Sequence, residues 1–329
     1  MRFLRTVFGV DENHRMFQQD VLQWKCFAPH PFWEGSRGYA LRYKGEIAAF
    51  GCVVPCRFLA GSETVGSCNV IDWAASKAVP SAGIMLYKHI QDLAGTMINI
   101  GGTDDARNVL PKIGFQERTE IHHYTRVLRP WRHFEGSSKD WKSPMRLARD
   151  YRELVRSAGV TLTVRRVDKL TGPFPDPSVT SQIVCARTPE SLGYFLACPA
   201  AAMEAYLMDR GNVAVGYFLL SRVDRQCRIA DLWIRSAERQ DWAEGYAAAA
   251  TAAALDPHTT EVTAGASLPL ETGALEQAGY RRTHSEPVFV RDPNNTLTGR
   301  SDLAISFLEN DAFYWSPSPA SDRPKYISS

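Results

Sequence analysis

Residues 70 to 115 constrain this chain more than any other stretch. An apolar strand ending near Ala75 runs into a turn of small residues, Pro80-Ser81-Ala82-Gly83, and then into a helix with Ile84, Tyr87 and Ile90 to Leu93 at helical spacing. A short strand (Thr96 to Ile100), a Gly101-Gly102 turn and a second helix follow, ending in Lys112-Ile113-Gly114-Phe115. A strand, tight loop and helix start in this order aim backbone N–H groups and the positive end of a helix dipole at one spot. Such a spot suits an anion.

A second stretch echoes the first. Ile71-Asp72-Trp73 matches Ala230-Asp231-Leu232-Trp233, and Lys112-Ile113-Gly114-Phe115 matches Gln277-Ala278-Gly279-Tyr280. Between these marks the later copy reads as a hairpin (Val213 to Val223, Gln226 to Ile234), an alanine-rich helix (Asp241 to Leu255), a strand (Glu261 to Ala264) and a helix (Pro269 to Ala278). The earlier copy is preceded by an amphipathic helix over 13 to 28 and a hairpin of Tyr39 to Tyr43 with Ile47 to Leu59, and is closed by a strand over Gln116 to Leu128. Pro189 to Met208 reads as mostly helix and Pro287 to Arg291 as the final strand. Two similar units in tandem follow, at residues 1–128 and 160–300, with a basic bridge at 129–159 and a tail at 301–329. A length of 329 residues accommodates two domains of about 150 each.

The order of these pieces resembles the acyl-CoA-binding core of the GNAT (acyl-CoA N-acyltransferase) superfamily. The usual loop signature there is Gln/Arg-x-x-Gly-x-Gly/Ala; Pro80-Ser81-Ala82-Gly83 keeps the last glycine and its small neighbours but not the first glycine or the Arg/Gln. The resemblance implies an α/β (α+β) fold of two tandem GNAT-like domains, each a mixed, mainly antiparallel sheet flanked by helices. It also implies an acyltransferase that uses acetyl-CoA or another acyl-CoA as co-substrate and moves the acyl group to an amine or hydroxyl of a small-molecule acceptor. By that resemblance Trp73, Ala74 and Ala75 would lend backbone to the pantetheine arm, and Ser81, Ala82, Gly83 and Ile84 would hold the pyrophosphate. The later copy carries Glu238, Asp241 and Glu244 at the matching helix start. Carboxylates there oppose a bound anion, so the first half is the expected cofactor site and the second a degenerate copy.

Direct attack on a thioester needs a base for the acceptor proton and a proton for the thiolate. Family members often carry a tyrosine four residues before the glycine of the Gly-Phe ending, but this chain has Leu110 and Leu275 there. Asp72 on the central strand and His122 on the closing strand are the candidate catalytic residues. A carboxylate bonded to neighbouring backbone and a structural histidine are the plainer readings of each. His122 and His123 should point to opposite faces of their strand. Two alternatives stand beside the enzyme: a non-catalytic tandem binding scaffold, and a transferase of related fold that uses aminoacyl-tRNA.

Composition narrows the partners. A net charge of +2 gives no general reason for nucleic acid or an acidic membrane. Between 125 and 170, twelve Lys/Arg stand against five Asp/Glu, which reads as a solvated bridging helix with Leu147, Tyr151, Leu154 and Ala158 as its apolar stripe. Seven cysteines form an odd set with no CxxC pair, so neither a zinc site nor a disulfide framework is expected, and no metal. The first ten residues are too short an apolar run for a signal segment, and no stretch approaches a bilayer span. A cytoplasmic location is expected.

Overall fold

The computed structural model describes residues 2–79, 81–136, 141–155, 160–180, 182–297 and 302–315. Pro80 of the anion loop, Ala158 of the bridge stripe and 316–329 of the expected tail lie outside the described residues. Helices α1 (Arg2–Phe8) and α2 (Gln19–Phe27) precede strands β1 (Gly38–Tyr43), β2 (Glu46–Ala60) and β3 (Glu63–Ala75). Helix α3 (Ala82–Ala94) crosses to β4 (Thr96–Ile100), and α4 (Asp104–Val109) leads to β5 (Gln116–Val127). The bridge holds α5 (Pro130–Gly136) and α6 (Ser143–Val155), followed by β6 (Thr163–Val167), α7 (Pro177–Thr180), β7 (Val184–Cys185) and α8 (Pro189–Leu196). Then come β8 (Ala202–Arg210), β9 (Val213–Val223), β10 (Gln226–Ile234), α9 (Arg239–Ala254), β11 (Glu261–Ala266), α10 (Pro269–Gln277) and β12 (Arg281–Arg291).

The strands form one sheet in the order β1-β2-β3-β4-β12-β5-β11-β10-β9-β8-β6, with β7 on the far end of β2. The repeat is visible as two matching sets, β1-β2-β3-β4 and β8-β9-β10-β11, each antiparallel until a parallel last pair (β3 with β4, β10 with β11). Their closing strands are exchanged. β12, from the second half, lies against β4, and β5, from the first, lies against β11; the two then pair with each other at the centre. The expected boundary between 128 and 160 therefore separates no two closed sheets. A half cut there would leave β4 or β11 with open backbone donors and acceptors.

The matched endings behave alike. Gly114 and Gly279 both take positive φ (93° and 82°), and Phe115 N and Tyr280 N donate to Leu110 O and Leu275 O respectively. Both rings then enter the core. Glycine is needed because a side chain in the left-handed region is strained.

Three expectations are corrected by packing. The helix expected over 189–208 ends at Leu196, and 202–210 is strand β8. Residues Ala205 to Met208 are all buried between β6 and β9, so the alternation that marks a half-exposed strand is missing. β12 begins at Arg281 rather than Pro287, because Pro287, a residue that ordinarily breaks a central strand, is accommodated within it. The tail is core over 302–315: Leu303, Ile305, Phe307, Leu308, Phe313 and Tyr314 are buried. Polar anchors bind this segment to both halves. Asn69 Nδ2 donates to Glu309 O (2.8 Å), Arg228 to Ala312 O (2.6 Å) and Ser267 Oγ to Leu303 O (2.7 Å).

Helix α6 docks partly through charge. Arg281 reaches Asp150 (3.3 Å) and Glu153 (3.4 Å), while Leu147 is half-buried and Tyr151 of the expected stripe is exposed.

Candidate functional site

The cleft begins where β3 and β4 part. Their parallel pairing covers only Ser67, Cys68 and Asn69 with Thr96, Met97 and Ile98. Beyond it β3 continues to Ala75 against β2 alone, while Asn99 and Ile100 pair only with β12. The departing strand also carries a bulge: Ala74 faces Phe50 and Ile71 faces Cys52, so Asp72 and Trp73 share one opposite residue. Asp72 sits there at φ 52°, an unusual conformation for a non-glycine residue, of the sort that costs about 1 kcal/mol or more. The start of α3 closes onto this bulge. Trp73 Nε1 donates to Gly83 O (3.0 Å), and a Cβ on Gly83 would stand 3.0 Å from Ala75 Cβ and 3.2 Å from Trp73 Nε1.

The structure thus brings Trp73, Ala75 and Gly83 together at the α3 end of the cleft. Ala74 and Ala82 are buried beside them, Ser81 is exposed at φ 66°, and Ile84 is half-buried in the first turn. That first turn has no acidic residue.

Asp72 is ion-paired with the buried Lys25 of α2. Burial would lower the Lys25 ammonium, but the charge of Asp72 outweighs it and holds the group above its ordinary value. Asp311 lies near the pair; burial and the Asp72 charge push its carboxyl up to about 6.

His122 and His123 do point apart. His122 Nδ1 is 2.8 Å from Ser285 Oγ, and burial with the nearby Arg282 charge lowers the imidazole, leaving it neutral near pH 7. The structure gives Asp72 and His122 separate partners. His123 is the histidine that lies against the C-terminal segment, 5.1 Å from the Phe307 ring. Its Nε2 is 3.3 Å from Glu286 Oε2, and its ring stacks on His284 with centroids 4.0 Å apart. Glu286 reaches the end of β4, where a Cβ on Gly101 (φ 69°) would come within 3.0 Å of the carboxyl carbon. Only a glycine leaves room for that approach. Sequence reasoning took His122 of the His122-His123 pair and missed His284 and Glu286, because Thr283 to Glu286 meets that pair only once β12 pairs with β5.

Neither a family model nor a curated protein matches the sequence. Solved structures do. A GCN5-related N-acetyltransferase from Anabaena variabilis superposes with TM-score 0.56 at 11% identity, over 88% of this chain and 68% of that one. Saccharomyces cerevisiae N-myristoyltransferase, solved with bound myristoyl-CoA, gives TM-score 0.58 at 12% identity, over 87% and 77%. A probable N-acyltransferase from Enterococcus faecalis gives 0.51 at 11%, over 88% and 68%. The chain has the GNAT fold.

Within this GNAT fold the second half repeats the parting of strands but sets carboxylates at the facing helix start. β10 parts from β11 after Ile229 and Ala264, with Ala230 as the bulged residue. At the start of α9, Asp241 accepts from Ser236 Oγ (2.5 Å) and Arg210 (2.8 Å), and Glu244 accepts from Leu162 N (3.2 Å), Thr161 and Arg210 (2.9 Å). The positive end of α9 is thus already served by carboxylates. The second buried pair is Arg187 with Asp231 (2.8 Å), joined by Glu309 (2.6 Å) and Tyr217 Oη (2.6 Å). Leu110 and Leu275 are both fully buried. A groove of about 730 Å³ opens elsewhere, between β6, β8 and α9, lined by Val160, Val164, Tyr206 and Leu255 among others. It lies at the far edge of the sheet from Gly101, and the β3–β4 cleft is the candidate site.

Proposed function

We propose that this protein is an acyl-CoA-dependent acyltransferase, with the acyl-CoA in the β3–β4 cleft of the first half. The observation that carries the reading is the early parting of β3 from β4 with the acid-free start of α3 at its mouth. Ser81, Ala82, Gly83 and Ile84 would receive the pyrophosphate at the positive helix end. Trp73 to Ala75, freed from β4, would pair with the amide-bearing pantetheine arm. Backbone N–H groups at the bulge would stabilise the oxyanion as the thioester carbonyl is attacked. The solved neighbours support the general class, since they include acetyl- and myristoyltransferases. The acceptor is a small molecule with a nucleophilic amine or hydroxyl. Among the described residues no helix is long and apolar enough to cross a membrane.

Calorimetry on the full chain with CoA, acetyl-CoA and myristoyl-CoA tests this. Micromolar binding of a thioester that Ile84→Glu removes is expected; no binding of any of the three to folded protein would sink the reading.

A further inference from the structure

The two exchanged strands meet where both clefts end. Ile100, the last residue of β4, pairs with Val288 of β12, and Ala266, the last of β11, pairs with His122 of β5. Because β4 and β11 run in opposite directions along this central pair, their C-terminal ends approach it from both sides, a few residues apart. Between them stand His123, Glu286 and His284.

We propose that His123 and Glu286, one from each exchanged strand, form the general-base pair that takes the proton of a primary-amine acceptor. This rests on the acyl-CoA reading above and adds to it the base and the acceptor class. The pairing is geometric: Glu286 projects at Gly101, just past the end of β4, and its second contact is His123 Nε2 at 3.3 Å. A carboxylate that accepts Nε2–H fixes the ring's tautomer and leaves Nδ1 with its lone pair, the arrangement a histidine base requires. Burial would raise the Glu286 carboxyl, but the His123 hydrogen bond and the nearby Arg107 charge outweigh it and hold the group below its ordinary value. It therefore also offers a negative charge to an incoming ammonium, which releases one proton to solvent before its nitrogen attacks as the free amine. In the step, the amine nitrogen forms a bond to the thioester carbon, the C–S bond breaks, and the amine proton passes to His123 Nδ1 and then to the departing CoA thiolate. The pair ends as it began.

The same three side chains bring their ligand atoms within 4.8 Å of one another, as a metal site would. The ring planes, however, differ by only 21°, and near-parallel stacked imidazoles cannot both aim in-plane lone pairs at one ion. Proton transfer is the use this geometry favours. The groups that surround the pair and bear on its titration are His284, His122 and Arg282 on the central strands, Arg107 on α4 and Asp311 on the C-terminal segment.

The test uses the full chain, acetyl-CoA or myristoyl-CoA, and hydroxylamine as a small neutral amine, with hydroxamate and free thiol as readouts. His123→Gln and Glu286→Gln are expected to keep the melting temperature and thioester affinity while lowering kcat about 100-fold. His123→Gln should also abolish the acid limb of the rate profile that an imidazole base gives. Rates within about threefold of wild type in both variants would overturn the proposal. So would wild-type protein that binds the thioester and acylates no hydroxylamine, or activity lost to a chelator and restored by zinc. Wild-type protein that binds neither thioester fails at the earlier reading, which separates the two.

Discussion

The two halves share a strand set, a parting of parallel strands and an acid beside the bulge, and they differ at the helix start facing the cleft. In the first half the start of α3 carries small residues; in the second, Asp241 and Glu244 stand in α9's first turns, where they accept hydrogen bonds from Ser236, Leu162 and Arg210. The same scaffold has thus answered one electrostatic demand in two ways. Where a helix end has its own carboxylates, nothing remains for an external anion. The comparison teaches that the repeat conserves packing, while ligand capacity resides in a handful of polar side chains.

The exchange of closing strands gives the sharpest way to break the comparison. If the halves were independent, residues 1–160 would fold alone. Expressed separately, that piece should show no cooperative unfolding by circular dichroism, because β4 loses β12 and β2 loses its cover from the C-terminal segment. A folded, two-state fragment would overturn the account of a single shared sheet.

Next in size are the buried cations. Lys25→Met leaves Asp72 without its partner, and Arg187→Met leaves Asp231 and Glu309. Removing one member of a buried pair costs about 3–5 kcal/mol, read as a lowered denaturant midpoint. The Arg187 variant should lose more, since it abandons two carboxylates.

The helix starts supply a smaller effect. Ile84→Glu at α3 should weaken CoA binding at least about tenfold, the equivalent of about 1.4 kcal/mol, whereas Arg239→Glu at α9 should leave it unchanged. Ile84 is preferable to Gly83 for this purpose, because a Cβ at Gly83 already presses on Ala75 and Trp73. Equal effects at the two helices would erase the asymmetry argued from them.

The remaining comparison concerns pH dependence. Burial, with the nearby Asp231 and Glu309 charges, pushes the Glu271 carboxyl of α10 from 4.5 to about 8. A raised carboxyl pKa favours the folded state when protonated, so stability should fall as pH rises from about 4.5 through about 8. Glu271→Gln should flatten that slope in thermal melts across the window. Glu286, held below the ordinary range, acts in the opposite direction: its contribution is present above that range and lost as pH falls.

Much of this was legible in the sequence, because local rules govern it. The apolar strand runs of β1, β2 and β3, the helical spacing of α3 and the glycines 114 and 279 each depend on neighbours in the chain, and the repeat was visible because it reuses them. The choice of half for the acyl-CoA reading came from side-chain charge at two helix starts, also a local property.

What only the tertiary structure decided is non-local. Nothing in 281–291 states that it will lie between β4 and β5, and no residue in 302–315 announces that a stretch read as tail will fill the core between the halves. Asp72 looked like a base because it stood on the right strand; its role changed when α2 delivered Lys25 to it. His122 and His123 were interchangeable on paper, and the pairing with β12 distinguished them by giving one a serine and the other Glu286. Strand propensity says that a segment will pair but not with which partner, since backbone hydrogen bonds are alike along every edge. That choice falls to the packing of the whole sheet, and here it joined the histidine and the carboxylate that the proposed chemistry needs.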